Sequence, residues 1–222
     1  MEAMKVKNLY TLEESIAAPL LETVEYPWEA LALIKNFIVE LGHSLPEEKY
    51  EKRGEGIWVA KSAKVAPTAC LNGPCIIDED AEVRHCAFVR GSAIIGKGAV
   101  VGNSTELKNV ILFNKVQVPH YNYVGDSILG FKAHMGAGSI TSNVKSDKTL
   151  VVVKSAEENI PTGLKKFGAM LGDCVEVGCN SVLNPGTVIG RNSNVYPLSC
   201  VRGFVPANSI YKKQDQIVEK KG

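Results

Sequence analysis

The sequence predicts a mainly β protein, a parallel β-helix of hexapeptide repeats with a small helical N-terminal subdomain and one inserted loop. Three observations predict it. An aliphatic residue recurs every six positions at Val59, Val65, Leu71, Ile77, Val83, Val89, Ile95, Val101 and Leu107. The pattern resumes after a shift at Leu129, Met135 and Thr141, and again at Leu171, Val177, Leu183, Ile189, Val195 and Val201. A small residue follows four positions after most of these, as at Ala63, Ala81, Ala99, Ser139, Ser181 and Ser193. A sustained period of six is a signature of solenoid strands. Three strands and three corners close one triangular coil, the aliphatic side chain fills its interior, and the small residue lets the chain turn. Each coil buries its faces only against its neighbours, so several are needed, and residues 57–206 supply roughly six to seven.

Residues 1–56 lack the period and read as a helical subdomain and linker. Residues 11–24 predict a short helix with Leu12, Ile16, Leu20 and Leu21 on its apolar face. Pro27 to Leu41 places Trp28, Leu31, Ile34, Ile38 and Leu41 on one stripe, with Pro27 at the start and Gly42 at the end. Pro46 to Gly56 is polar and reads as a linker. The subdomain is expected to pack on the first coils, as a cap over the open end of the solenoid or as an oligomer contact. Residues 145–168 interrupt the repeat and read as a loop or hairpin pushed out of one corner, where binding residues concentrate. Residues 207–222 are left as a C-terminal tail.

Composition narrows the function classes. A net charge of +1 counts against nucleic acid as the main partner, since such domains carry a basic excess. No stretch approaches the ~18 apolar residues of a membrane span, and no signal segment opens the chain, so a cytoplasmic protein is expected. Cys70, Cys75, Cys86, Cys174, Cys179 and Cys200 form no C-x-x-C pair, so no metal site is expected. They are expected to be small buried or half-buried apolar residues.

The densest chemistry lies in Val118-Pro119-His120-Tyr121-Asn122-Tyr123-Val124-Gly125-Asp126, where the hexad phase slips between Pro119 and Leu129. Imidazole is the side chain suited to general-base work near neutral pH. The stretch resembles the acetyltransferase domain of the bifunctional enzyme that makes UDP-N-acetylglucosamine. That family carries an H-x-x-Y-x-G-D segment followed by G-A-G-[ST]-[IV]-T-x-N, matched here by Gly136 to Asn143. The similarity runs from residue 60 to about 206 and preserves the spacings of Arg90, Lys108, His120 and Asn143.

This resemblance implies the left-handed β-helix of the hexapeptide acyltransferases. It also implies acetyl-CoA as co-substrate and an amino-sugar phosphate as acceptor. His120 would be the base on the sugar amine. Arg90 and Lys108 would hold the phosphate, Tyr123 would touch phosphate or sugar, and Asn143 would bind the sugar. Ala137, Cys179 and Pro197 would line the acetyl-CoA groove, with a backbone N–H near Ala137 meeting the oxyanion. A homotrimer with sites between subunits is implied. His134 stands where the family has Asn, and Val144 where many members have Tyr. Gly163 to Ala169 is similar to a lysine-rich insertion of archaeal sugar-1-phosphate nucleotidyltransferases with an acetyltransferase tail, which makes Lys165 and Lys166 candidates for sugar or phosphate contact.

Residues 1–56 hold no glycine-rich nucleotidyltransferase loop, so no such activity is expected; a separate nucleotidyltransferase chain is a candidate partner. Two other classes stay open: a non-catalytic sugar-nucleotide-binding scaffold, and a zinc hydratase of the same fold. The second needs three histidines at one zinc, and His43, His85, His120 and His134 lack the required spacing.

Overall fold

The computed structural model describes residues 1–156, 158–213 and 216–220. The hexads form a three-faced parallel solenoid. On the first face Val59, Ile77, Ile95, Leu112, Leu129, Leu171, Ile189 and Val205 stack in register. On the second, Val65, Val83, Val101 and Val118 form one ladder, and Met135, Val177, Val195 and Tyr211 continue that face. On the third, Leu71, Val89, Leu107 and Val124 are followed by Thr141, Leu183 and Val201. Nearly all of these side chains are buried inside the coil, each contributing roughly 1.5–3 kcal/mol when fully covered. Thr141 stands at an aliphatic position because its hydroxyl accepts the Gly125 N–H at 2.9 Å.

The phase slip differs from expectation. The chain loses one residue twice, between Leu107 and Leu112 and between Val124 and Leu129, each a step of five in place of six. Both losses fall at the corner between the third and first faces. Strands Glu106–Leu112 and Tyr123–Leu129 run straight through that corner. Asn109 (φ 55°) and Asp126 (φ 47°) absorb the bend in left-handed backbone, which Asn and Asp tolerate best after Gly. His120 lies between the two slips.

The N-terminal subdomain lies along the side of the solenoid, not over its end. The first face has a second apolar row pointing outward: Trp58, Ile76, Ile94, Ile111, Ile128, Met170 and Val188, all buried. A bare solenoid would expose that row. The helix Ile34–Ser44 packs on the early strands of this face. Tyr10 meets Phe113 at 5.0 Å between ring centroids, and Trp28 stacks on Phe167 at 5.7 Å. The two expected helices are broken. Leu12–Glu14 and Ala18–Leu21 are separate short turns around Pro19. The second splits into a 3₁₀ turn Pro27–Ala32 and the α-helix, which passes through Gly42 to Ser44. Gly42 serves packing rather than termination, because a Cβ there would stand 2.5 Å from the Trp58 ring.

The supposed linker forms an edge strand, Tyr50–Gly54, antiparallel to Ile57–Ala60. Its single buried side chain, Tyr50, bonds to Asp78. The insertion carries a hairpin, Val152–Lys154 with Asn159–Pro161. It is laid down on the molecule rather than pushed away, since Val151, Val153 and Phe167 are fully buried. In the 207–222 segment, Ser209–Lys213 and Gln216–Glu219 pair as a hairpin; residues 214, 215, 221 and 222 lie outside the described residues.

The cysteines also depart from expectation: Cys75 alone is buried and the other five are exposed, at corners or on outward positions. Burial pushes the Cys75 thiol up to about 12. We therefore expect Cys75 to resist an aromatic disulfide reagent at pH 8 until the protein is unfolded; native labelling of all six thiols would contradict this packing.

Candidate functional site

The site residues sit on two corners. At the corner between the second and third faces the chain turns through left-handed residues at Cys86, Ser104, Tyr121, Gly138, Asn180 and Leu198. The residue just before each turn forms a column, one per coil. That column holds His120, Ala137, Cys179 and Pro197, tied by Gly138 N–H to His120 C=O (3.0 Å), Asn180 N–H to Ala137 C=O (2.9 Å) and Leu198 N–H to Cys179 C=O (2.9 Å). Adjacent coils are ~4.8 Å apart, so the base candidate and the first groove residue are near neighbours.

His120 is exposed, and its ring has no hydrogen-bond partner among the described residues. Its backbone is fixed by the buried Asn122. The Asn122 side chain accepts the His120 N–H at 3.1 Å and donates to Gly136 C=O at 2.9 Å and Ser139 C=O at 3.0 Å. A groove of about 330 Å³ runs beside the column, lined by His134, Gly136, Cys179, Tyr196 and Pro197 among others. Gly136 lets the next coil approach closely: a Cβ there would meet Cys179 N at 2.8 Å. The backbone N–H groups of Ala137 and Cys179 donate to nothing among the described residues. Such donors, held by a rigid corner, suit a developing oxyanion. His134 lies on the second face, where its Nδ1 pairs with Glu176 at 2.7 Å in the next coil.

The second group gathers at the corner between the third and first faces. Lys108 Nζ contacts both oxygens of Asp126 at 3.0 Å. Asn109 donates to the same carboxylate at 3.0 Å, and Asn143 donates to its other oxygen. Arg90 pairs with Glu106 at 2.7 Å, one coil earlier, which holds the guanidinium above its usual pKa. Tyr123 is half-buried, and Gly125 leaves room for its hydroxyl: a Cβ there would stand 2.5 Å from it. Burial, then the charges of Asp126 and Glu106, raise the Tyr123 phenol, so it stays a hydrogen-bond donor. Lys165 and Lys166 are exposed and make no ion pair among the described residues. The next residue, Phe167, donates its N–H to Asn143 C=O at 3.0 Å, which places the two lysines beside this corner.

Within one chain the third face separates His120 from Arg90, Lys108 and Asn143. Sequence reasoning missed Asn122, Asp126 and Glu106; Asp126 is a fixed letter of the motif, whereas Asn122 falls at one of its open positions and carried no signal. Among the described residues no cluster of His, Cys, Asp or Glu is arranged to hold a metal, and no helix is long and apolar enough to cross a membrane.

The GMPPB C-terminal domain model matches residues 71–190, more than half of the 222. A bifunctional protein GlmU of Methanococcus maripaludis is 31% identical over 89% of this chain and 49% of its own length. A bifunctional sugar-1-phosphate nucleotidylyltransferase/acetyltransferase of Sulfurisphaera tokodaii is 30% identical over 64% of this chain and 40% of its own. The chain therefore spans half or less of these bifunctional relatives. An uncharacterized acetyltransferase, YaiX, of Escherichia coli is 25% identical over 94% of this chain and 96% of its own length. By the repeat, the stacked ladders and the matched domain, the chain belongs to the GMPPB C-terminal domain family of hexapeptide-repeat acyltransferase-type β-helices.

Proposed function

We propose that the protein is an acetyl-CoA-dependent N-acetyltransferase acting on an amino-sugar phosphate such as glucosamine-1-phosphate. The observation that carries the reading is the column of His120, Ala137, Cys179 and Pro197 beside a groove with two backbone N–H donors that no described residue engages. A thin thioester arm fits a groove whose lining includes the small residues Gly136, Gly178, Cys179 and Pro197. In the proposed reaction the sugar amine attacks the thioester carbonyl and the C–S bond breaks. His120 takes the proton from the nitrogen and returns it to the departing sulfur, so CoA leaves as its thiol. The Ala137 N–H meets the oxyanion. The acetyltransferase names of the Sulfurisphaera tokodaii and Escherichia coli relatives support the reaction class.

The phosphate half of the site has to come from a second copy. Arg90, Lys108 and Asn143 lie across the third face from their own His120, and Tyr123 lies on that face between them. The outward row of that face, Phe88, Glu106, Tyr123, Ile140 and Val182, is half-buried in the single chain and apolar apart from Glu106 and the Tyr123 hydroxyl. Packing this face around a three-fold axis would set the Arg90–Lys108 corner of one subunit against the His120 corner of the next. We propose that homotrimer. Lys165 and Lys166 bring cations that no carboxylate of the described residues neutralises.

One observation favours the second reading, a sugar-nucleotide-binding protein without turnover. Arg90 and Lys108 already have carboxylate partners in the single chain. A panel of amino-sugar 1-phosphates and UDP-linked amino sugars, tested for thiol release from acetyl-CoA, separates the two. Release with at least one acceptor is expected. Saturable binding of the panel with no release would establish the binding protein.

A further inference from the structure

We infer that Asp126 is the positioning residue of the acceptor site. It presets both Lys108 and Asn143 for the ligand, and it ties that setting to the N-terminal layer. The inference rests on the acetyltransferase reading above and goes beyond it. Asp126 is 3% exposed, so it cannot itself touch an acceptor. A carboxylate has about four acceptor positions, and all are in use: two contacts to Lys108 Nζ, one to Asn109 Nδ2 and one to Asn143 Nδ2. These donors come from the two coils that flank Asp126, so one carboxylate fixes side chains that the repeat supplies independently.

The consequence for each donor is specific. An ammonium carries three N–H groups. Asp126 engages at most two of them, and the Lys108 side chain is still 27% exposed, which leaves at least one donor for a ligand. Asn143 gives its amide nitrogen to Asp126 and also bonds to Tyr123. With the nitrogen occupied, the amide oxygen is the end presented to a ligand. The acceptor sugar then has to offer a donor there, a hydroxyl or the amine. Left without Asp126, the Asn143 amide is free to turn over and Lys108 is free to swing.

Asn109 extends the arrangement away from the site. Its Nδ2 also donates to Leu31 C=O at 3.1 Å, in the helical layer. Nearby, Trp28 of that layer stacks on Phe167, whose N–H holds Asn143 C=O. The N-terminal layer thus braces the acceptor corner from both sides of Asp126.

The test is steady-state acetyl transfer by the full chain. Asp126→Asn should raise KM for the amino-sugar phosphate by about tenfold or more, as expected for loss of a charge-assisted set, and leave KM for acetyl-CoA unchanged. In a Lys108→Ala background the same change should add little, because the residue it acts through is gone. A general structural defect would instead shift both KM values, lower the melting temperature and add in full to Lys108→Ala. Equal acceptor KM for Asp126→Asn and wild type, or full additivity, overturns the inference. Should Asp126→Asn fail to fold, Asn109→Gly keeps the left-handed backbone and removes one tether; a smaller rise in acceptor KM supports the inference and an unchanged value overturns it. A wild type with no transfer to any acceptor overturns the acetyltransferase reading itself, an outcome distinct from an active wild type with an indifferent Asp126→Asn.

Discussion

Replacing His120 with alanine is expected to lower turnover by roughly 10²–10⁴-fold, the range for loss of a positioned general base, while the fold stays intact. The second half of that expectation comes from the local structure. The His120 ring is exposed and unbonded among the described residues, so truncation leaves no buried polar group without a partner. Its backbone bonds to the Asn122 side chain and to Gly138 N–H are made by any residue. KM for acetyl-CoA should barely move, because Ala137, Cys179 and Pro197 keep their places in the column. Thiol release beside a thermal melt checks both halves. Turnover within tenfold of wild type would remove His120 from the proposed role.

Gly102→Ala should be the most damaging single methyl in the molecule. A Cβ at Gly102 would lie 1.5 Å from Pro119 O and 2.0 Å from its carbonyl carbon. The obstacle is backbone of the next coil, which no rotamer change can clear. Strands Val100–Asn103 and Gln117–His120 would have to part. A loss above ~4 kcal/mol belongs to the exceptional class of point mutants and corresponds to roughly 10 °C or more in melting temperature for a chain of this size. His120 follows Pro119, so residual folded protein should also be catalytically impaired. Gly163→Ala is the control: its Cβ meets nothing within 4 Å, and only its φ of 71° opposes a side chain, at about 1–2 kcal/mol. Gly102→Ala melting alongside the wild type would contradict the stacked register.

The coil was legible because its inward residue obeys a strict period. Val59, Ile77 and Ile95 announce a packed interior whatever covers the outside. The layer against the first face was written in the sequence too, but one position earlier. Ile76-Ile77, Ile94-Ile95, Ile111-Leu112, Ile128-Leu129, Met170-Leu171 and Val188-Ile189 are doublets, and a strand apolar on both faces is a strand buried on both faces. Reading only the inward member hid the surface on which residues 1–45 lie. Gly42 misled for a related reason: a glycine near a helix end signals a stop, but close approach to Trp58 demands the same residue. At the site, His120 and the groove residues fell into one column because their spacing follows the coil length. Asp126 could not be assigned from sequence, since its value depends on Lys108 and Asn143 arriving from neighbouring coils after the chain has shortened twice.

The central claim is that the acceptor corner and the base corner meet only between copies of the chain. Mixing His120→Ala chains with Arg90→Ala/Lys108→Ala chains, after unfolding and reassembly, tests it most directly. Each parent should be nearly inactive alone. In an equal mixture a site is whole when a chain with native Arg90 and Lys108 faces a chain with native His120, about a quarter of sites by random assortment around a cyclic axis. Recovery of activity on mixing is the predicted result, accompanied by a solution mass three times the 24.0 kDa chain. An active wild type of monomeric mass, or parents that stay inactive when mixed into trimers, would contradict the account.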